Sequence, residues 1–360
     1  MTSKKFSLEL AGKTLTAEFT NLTEQANGSV LLTYGETAIL VTAVMSSRES
    51  NMSYFPLSVE FEEKFYATGK ILGSRFMRRE GRPSDEAILS ARIVDRTIRP
   101  LFNQKMRRDI QIVINVLALG EEDPDVLAVI GTSLALSTSD IPWNGPVGAV
   151  RVGREVGSGA LVVNPTYSER AEQALDFEML ACGKDGTINM VEVGAQEIAE
   201  AEIAKAFTAS VTVHQELEAW QKEIVSDIGK EKQPEPEFVV SPELSTLFET
   251  EFKQTLSQTI FSNRAGKRHI YAVKDEFLSA VAEAELDVKI AGEYFEEMID
   301  AELHRGALEE GTRADGRDMD TVRELYAKAG GISPALHGSG IFYRVGTHRY
   351  SALTLGGTES

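Results

Sequence analysis

The stretch GSRFMRREGRPSDEAILSARIVDRTIR, residues 73–99, gives the clearest indication of how this chain folds. Its first part mixes glycine and proline with basic residues, which is typical of an exposed loop. Its second part begins at Ser84, a side chain suited to capping a helix, and continues with apolar residues three and four apart as far as Ile98. Pro100 then ends the helix. The stretch predicts a basic loop followed by an amphipathic helix.

Three arginines of the loop, Arg78, Arg79 and Arg82, are predicted to bind phosphate groups. A loop can present several guanidinium groups to one phosphodiester chain, and no matching run of carboxylates flanks these three. Phe76 lies beside them, and an aromatic ring next to basic groups suits single-stranded nucleic acid, in which bases stack and phosphates pair. The alternative for Phe76 is a place in the core. We therefore predict a binding site for single-stranded nucleic acid at Phe76, Arg78, Arg79 and Arg82.

Three further arginines, Arg92, Arg96 and Arg99, share one face of the predicted helix. They either extend the basic surface or pair with carboxylates such as Asp95 and Glu86 and orient the helix, because partly buried arginines are usually paired. The sequence leaves both interpretations open.

The net charge of the 360 residues is −18, so the chain is not coated in basic groups. From Arg75 to Arg108, however, nine Arg and one Lys face four acidic residues, a local balance of +6 against −24 for the remaining 326 residues. Any contact with nucleic acid must therefore be confined to this local patch.

Several other classes of protein and site lose support. No apolar run is long enough for a signal or a membrane span, so we expect a soluble cytoplasmic protein. The five histidines lack metal-ligand spacing, no P-loop or Gly-x-Ser-x-Gly motif occurs, and the single cysteine, Cys182, is expected to be a small buried side chain. The acidic run Glu121-Glu122-Asp123 is expected in a solvated turn. We predict no metal site in this chain.

The first part of the chain is predicted to be an α+β domain. One helix follows Ser84, another spans residues 124–137, and helical spacing runs from about Gly194 to residue 228. Strands are predicted at residues 6–20, 29–45, 110–119, 147–152, 160–163, 175–181 and 187–193.

A linker and a helical region follow. Residues 229–243 combine charge with three prolines, and residues 245–310 show only helical spacing. From Gly311 the chain becomes Gly-rich and strand-like. A shift of 310 residues places Gly28, Ser29 and Thr37 on Gly338, Ser339 and Thr347, which indicates a repeat, although two unrelated hairpins would also explain three identities.

Residues 76–102, FMRREGRPSDEAILSARIVDRTIRPLF, resemble the arginine loop and helix of the first core domain in the polynucleotide phosphorylase family. Five other segments occur in the order expected for that family: NGSVLLTYGETAILVTAV (27–44), the stretch 123–153, INMVEVGAQEI (188–198), RADGRDMDTVR (313–323) and HGSGIFYRVGTH (337–348). Met77 departs from the family's second Phe, and Val345 from its usual Gly. The resemblance spans the whole chain and implies two cores of the RNase PH type, which accounts for the repeat.

The resemblance implies three domains: a first RNase PH-like core at residues 1–228, a linker and all-α domain at 229–310, and the truncated start of a second core at 311–360. It implies a phosphate-dependent 3′ to 5′ exoribonuclease that takes part in mRNA turnover, uses inorganic phosphate as co-substrate and requires Mg²⁺ or Mn²⁺. Its implied partners are single-stranded RNA, two further copies in a homotrimeric ring, and a ribonuclease or helicase. No membrane is implied.

The family's phosphate-binding serines and metal-binding aspartates are expected beyond Ser360, so no catalytic residue is assigned within this chain, and we expect the chain alone to be inactive. The alternative is a non-catalytic, ring-forming RNA-binding module. A third interpretation, which we rank last, is a metabolite-binding protein that uses Arg78, Arg79 and Arg82 for the phosphates of a nucleotide.

Overall fold

The computed structural model describes residues 3–50, 52, 54–71, 81–172, 175–235, 238–264 and 266–357. These residues form two compact units, Met1–Pro236 and Glu237–Ser360. The boundary falls inside the predicted linker, and the second unit holds both the helical region and the strands that follow it. The division into three domains stays a prediction.

The first unit contains a six-stranded sheet of alternating buried and exposed residues. Its strands are β1 (Ser3–Leu10), β2 (Lys13–Thr20), β3 (Gly28–Tyr34), β4 (Thr37–Glu49), β5 (Leu57–Glu62) and β6 (Arg108–Ala118). They lie in the order β1-β2-β3-β4-β6-β5, and all pairs are antiparallel except β5 with β6. The sheet is therefore mixed, as an α+β domain predicts.

A second, antiparallel sheet lies in the same unit. It consists of β7 (Gly148–Glu155), β8 (Leu161–Val163), β9 (Leu175–Lys184) and β10 (Thr187–Ala195) in the order β10-β9-β7-β8. The helices of this unit are α1 (Asp85–Ile98), α2 (Pro124–Thr138), α3 (Tyr167–Glu172) and α4 (Glu200–Ile228).

Helix α2 packs against both sheets, on β3 and β4 from one side and on β7 from the other. Every residue of α2 except Asp125 is buried, which explains why its sequence is apolar all round. Helix α1 packs on β5 and α2, while α4 covers β7 and β9. The core of the first unit thus lies between the two sheets, and α1 is held at the β5 edge.

Two predicted strands are each a hairpin. Residues 6–20 divide at Ala11 and Gly12, whose φ angles of 47° and 77° make a tight turn, and residues 29–45 divide at Gly35 and Glu36. Continuous apolar alternation on both sides hid these turns. Strand β5 was not predicted at all, because it is short and its outer positions are polar.

Part of the predicted linker is bound to the first unit. Lys232 Nζ donates to the carbonyl oxygens of Leu136, Ser137 and Ser139 at 2.7, 3.0 and 2.6 Å, at the end of α2. The backbone N–H of Gln233 donates to the Asp140 carbonyl at 2.8 Å. Residues 229–235, which we call the strap, therefore lie fixed against the first unit.

The second unit begins with a helical region whose core is aromatic, with Phe248, Phe277 and Phe295 in edge or tilted contacts 5.4–6.0 Å apart. Its elements are α5 (Pro242–Leu247), a π-helical turn (Phe248–Phe252), α6 (Lys253–Ile260), α7 (Arg268–Glu283) and α8 (Val288–Glu309). A three-stranded antiparallel sheet follows, with β11 (Leu325–Ala329), β12 (Gly338–Arg344) and β13 (Thr347–Leu353) in that order.

The three strands β11–β13 repeat the pairing of β2–β4 at an offset of 310 residues. Leu15 pairs with Tyr34, and Leu325 pairs with Arg344. In the hairpins, Gly28 pairs with Ala43 and Tyr34 with Thr37, as Gly338 pairs with Leu353 and Arg344 with Thr347. Strand order and register agree over all three strands, so the repeat indicated by the sequence is present in the structure.

Candidate nucleic-acid interface

The predicted basic loop leads into α1, and the start of this helix is fixed by Ser84. The Ser84 hydroxyl oxygen accepts a hydrogen bond from the Ala87 backbone N–H at 3.0 Å, as an N-cap does. Its hydroxyl donates to Glu63 Oε2 at 3.0 Å, which ties the helix start to the segment after β5. The predicted cap is confirmed.

Of the four predicted binding residues, Phe76, Arg78 and Arg79 lie outside the described residues. Arg82 is described: it is exposed, and it lies two residues before the helix cap. It lines a cleft of about 790 Å³. Among the described residues, Arg82 has no carboxylate partner within 4.0 Å, as expected for a cation available to a phosphate.

The cleft has an apolar floor and a charged rim. Phe61, Ala87, Val116, Leu119 and Pro124 form the floor. The rim carries the cations Lys64, Lys70 and Arg82 and the carboxylates Glu62 and Glu63. Phe65 lines the cleft with 44% of its surface exposed, and the neighbouring Tyr66 is 57% exposed. Exposed rings beside cations match the chemistry of bases and phosphates.

The helix arginines divide into two kinds. Arg99 donates through Nε and NH2 to both oxygens of Asp95 at 3.0 and 2.6 Å, and to the carbonyl oxygens of Phe55 and Leu57 at 3.3 and 3.1 Å. Arg92 and Arg96 are exposed, and neither pairs with a carboxylate of the described chain. The pairing interpretation therefore holds for Arg99, and the basic-surface interpretation stays open for Arg92 and Arg96.

A second groove of about 310 Å³ lies at the surface where α1 packs on β5, and it is lined by Leu57, Val59, Ile88, Ala91 and Arg92. Ile88 and the adjacent Leu89 are half exposed on the solvent side of α1. The exposed face of the helix thus carries both apolar and cationic groups.

The expectation of solvated carboxylates at residues 121–123 is wrong for Glu122 and Asp123, which are both buried. The Glu122 carboxylate accepts hydrogen bonds from Lys13 Nζ at 2.8 Å and from the Glu36 backbone N–H at 3.1 Å. Burial favours the neutral acid, but these donors prevail and lower the pKa of Glu122. Donors on distant strands, which no local pattern indicates, hold this carboxylate inside.

Asp123 and Asp125 belong to a buried ion-pair network around Arg151. The Arg151 guanidinium pairs with Asp123, with Asp125 at 3.5 Å and with Glu178. Burial and the charge of Asp123 raise the pKa of Asp125 from 3.8 to about 6. This network joins α2 to β7 and β9, so its arginine is structural and unavailable to a ligand.

The described part of the chain holds no group of three or more His, Cys, Asp or Glu side chains that could bind a metal ion. Cys182 is buried, as expected, and burial raises the pKa of its thiol to about 12. Among the described helices, none is long and apolar enough to cross a membrane.

Comparison with known proteins gives matches to one family model and to a set of similarly named curated proteins. Residues 12–142 match the model of the 3′ exoribonuclease family, domain 1. The chain is 40% identical to the polyribonucleotide nucleotidyltransferase of Exiguobacterium sibiricum over 99% of this chain and 48% of that protein. The enzymes so named from Heliobacterium modesticaldum and Bacillus cytotoxicus are 40% and 38% identical, each over 98% of this chain and 49% of their own length.

The chain therefore spans about half the length of the curated relatives it matches. Among solved structures, that of Rrp46 from rice (Oryza sativa) aligns with 63% of this chain and 95% of its own at a TM-score of 0.46 and 11% identity.

Proposed function

Because the chain contains an RNase PH domain of the 3′ exoribonuclease family and matches polyribonucleotide nucleotidyltransferases over nearly its whole length, we propose that it is the RNA-holding half of a phosphorolytic 3′ to 5′ exoribonuclease. The parent enzyme would degrade RNA in mRNA turnover. The chain alone would hold RNA without cleaving it.

In the proposed reaction an oxygen of inorganic phosphate attacks the phosphorus of the terminal phosphodiester. The bond from phosphorus to the 3′ oxygen breaks, that oxygen takes a proton, and a nucleoside diphosphate leaves. One phosphoryl linkage replaces another, so the reverse reaction polymerises RNA. Positioning of the strand and stabilisation of charge supply most of such catalysis.

The observation that carries the proposal is a set of exposed cations without carboxylate partners in the described part of an otherwise acidic chain. Arg82, Arg92 and Arg96 are such cations. Arg82 lines the same cleft as the exposed ring of Phe65, and the neighbouring Tyr66 is also exposed. Arg78, Arg79 and Phe76 adjoin them in sequence. We propose that all of these residues contact the RNA strand, whereas Arg99 has a structural role at the end of the helix.

Mg²⁺ or Mn²⁺ would serve the parent enzyme, but the described residues do not fit such an ion. The carboxylates of Asp123 and Asp125 at the start of α2 pair with Arg151, and the described residues offer no cluster of three His, Cys, Asp or Glu side chains. We therefore assign no catalytic residue and no metal-dependent step to this chain.

The repeat of β2–β4 in β11–β13 supports a further part of the proposal, that residues 311–360 are the start of a second core of the same type. A homotrimeric ring in the cytoplasm, which places three basic patches around one pore, would reconcile a net charge of −18 with an RNA ligand. Docking of a ribonuclease or helicase remains a proposal.

The test combines RNA binding with product release. Binding of a fluorescent oligouridylate is measured for the wild type and for the Arg78→Ala, Arg79→Ala, Arg82→Ala triple variant, and release of nucleoside diphosphate is followed with phosphate present. A control removes three exposed cations of the second unit, Arg264, Lys267 and Arg268, with the same change of net charge.

We expect binding by the wild type and the control, much weaker binding by the triple variant, and no turnover by any of them. Equal binding by all three would contradict the assigned site. Phosphate-dependent turnover by the wild type would contradict the proposal that the catalytic residues lie outside this chain. RNA binding without turnover even when the chain is joined to a second core would favour the non-catalytic alternative.

A further inference from the structure

The sheet β11–β13 has two faces, and the first unit shows which face of such a sheet points away from the core. In the first unit, Leu15, Leu32, Ile39 and Val41 point to one side and are buried to 1% exposure or less. The residues between them point to the other side and are only half buried: Thr16, Glu18, Leu31, Thr33, Ala38 and Leu40. Because the two sheets share strand order and register, the same division applies to β11–β13.

The outer positions carry different side chains in the second sheet. At the offset of 310 residues, the six outer residues of the first sheet are replaced by Tyr326, Lys328, Ile341, Tyr343, His348 and Tyr350. Four of the six are aromatic and one is a cation. The equivalent positions of the first sheet carry no aromatic residue.

These outer side chains form two rows across the three strands. Tyr326 pairs with Tyr343, which pairs with His348, and the Tyr343 and His348 rings lie 5.0 Å apart. In the next row Ile341 lies between Lys328 and Tyr350. Tyr326 is 53% exposed and Tyr350 is 73% exposed. Rings laid out on a sheet in this way can receive successive bases.

The charge of this region fits the same ligand. Residues 325–357 contain no Asp or Glu, in a chain whose net charge is −18. The outer positions carry the cation Lys328, whereas Arg344 and Arg349 occupy inner positions, equivalent to Tyr34 and Ile39. A surface with neither carboxylates nor a net negative charge favours a polyanion over an acidic protein partner. Tyrosine rings add the stacking that a purely electrostatic contact lacks.

We propose that this outer face, which we call the tyrosine face, is a second contact surface for single-stranded RNA, in which Tyr326 and Tyr350 stack on bases and Lys328 pairs with a phosphate. The proposal rests on the proposed function, since it takes RNA to be the ligand. Besides the arginine loop, the chain would then have a second surface that contacts the bases of the RNA as well as its phosphates.

The test uses the full chain and an oligouridylate of about twenty nucleotides. Its affinity is measured by fluorescence anisotropy for the wild type, for Tyr326→Ala with Tyr350→Ala, and for the corresponding double Tyr→Phe variant, which keeps the rings. Tyr271→Ala removes a tyrosine that is 40% exposed on α7 and serves as the matched control. A second readout is photocrosslinking of the same oligomer carrying 5-iodouridine, with the crosslinked tyrosines identified by peptide mass.

The proposal predicts that the double Ala variant binds at least about five-fold more weakly, that the double Phe variant and Tyr271→Ala bind as the wild type does, and that crosslinks form at Tyr326 or Tyr350. Wild-type affinity in the double Ala variant, with weakened binding by the loop triple variant, would overturn the tyrosine face and leave the proposed function intact. Failure of the wild type to bind RNA would overturn both. Weak binding by the Phe variant would overturn the stacking role.

Discussion

Arg92 and Arg99 lie on the same face of α1 but have different surroundings. The spacing of the arginines was evident from the sequence, whereas their roles were not, because the carbonyl oxygens that Arg99 contacts belong to Phe55 and Leu57, far away in sequence. The loop residues Arg82 and Ser84 were assigned correctly as exposed cation and helix cap, because both depend on local chain geometry.

Removing these arginines one kind at a time should separate binding from stability. We expect Arg92→Ala with Arg96→Ala to weaken RNA binding while the thermal midpoint stays unchanged, since both side chains are exposed and unpaired in the described chain. Arg99→Ala should lower the free energy of unfolding by about 1–3 kcal/mol, because it leaves Asp95 and two carbonyl groups without their donor. A stability loss in the double variant equal to that in Arg99→Ala would contradict this division.

Asp125 should make stability depend on pH. Its pKa rises from 3.8 to about 6 on folding, so the protonated acid stabilises the fold at low pH and this contribution is lost as pH rises through 6. In the Asp125→Asn variant the side chain at this position cannot ionise. The stability of the variant relative to the wild type should therefore increase between about pH 5 and about pH 7.5, as measured by urea unfolding at both values.

The control for this measurement is Asp140→Asn. Hydrogen bonds from Gln233 and Asn27 outweigh burial and lower the pKa of Asp140, so that group is ionised throughout the same pH range. Its effect on stability should not vary between the two pH values. An equal pH dependence in both variants would show that the Asp125 carboxyl is not the group responsible.

At the scale of elements, periodicity predicted α1, α2 and α4 and most strands, but it merged each N-terminal hairpin into one strand. Alternation does not change across a tight turn when the turn residues continue the pattern, as at Ala11 and Gly12. In the sequence, the repeat at an offset of 310 residues rested on only three identical residues. The structure supports it more strongly, because the strands of the two hairpins pair in the same register.

The strap was predicted to be part of a linker, because its charged residues and prolines are typical of linkers. The hydrogen bonds that its lysines donate to distant parts of the chain leave no pattern in the local sequence. Lys232 Nζ donates to three carbonyl groups at the end of α2, whereas Lys230 Nζ donates to one, that of Asn27 at 2.6 Å.

Lys232→Met keeps the aliphatic part of the side chain and removes the N–H donors. We expect it to lower the free energy of unfolding by about 1–3 kcal/mol, measured by urea denaturation.

The control is Lys230→Met, which changes the charge equally on the same strap. Its exposed side chain should allow water to replace the single lost bond, so the effect should be below about 1 kcal/mol. Equal losses in the two variants would contradict the capping role of Lys232.

For the whole molecule, the proposed RNA binding depends on how charge is distributed along the chain. The sequence showed that a basic patch of +6 lies within an acidic chain, and the structure adds that Arg82, Arg92 and Arg96 of this patch are exposed and unpaired in the described chain. The sequence could not reveal the cleft beside Arg82, because its floor comes from β5, α1 and the end of β6, which are separate in the chain.

The salt dependence of RNA affinity tests this account most directly. Single-stranded RNA releases counterions in proportion to the phosphates that a protein neutralises, with a slope of about −0.7 per phosphate in a plot of log affinity against log salt. The slope is measured for the wild type and for the Arg78→Ala, Arg79→Ala, Arg82→Ala variant. The account predicts a wild-type slope steeper by about 2 than that of the variant. Equal slopes would contradict it, because they would show that these arginines do not hold the RNA.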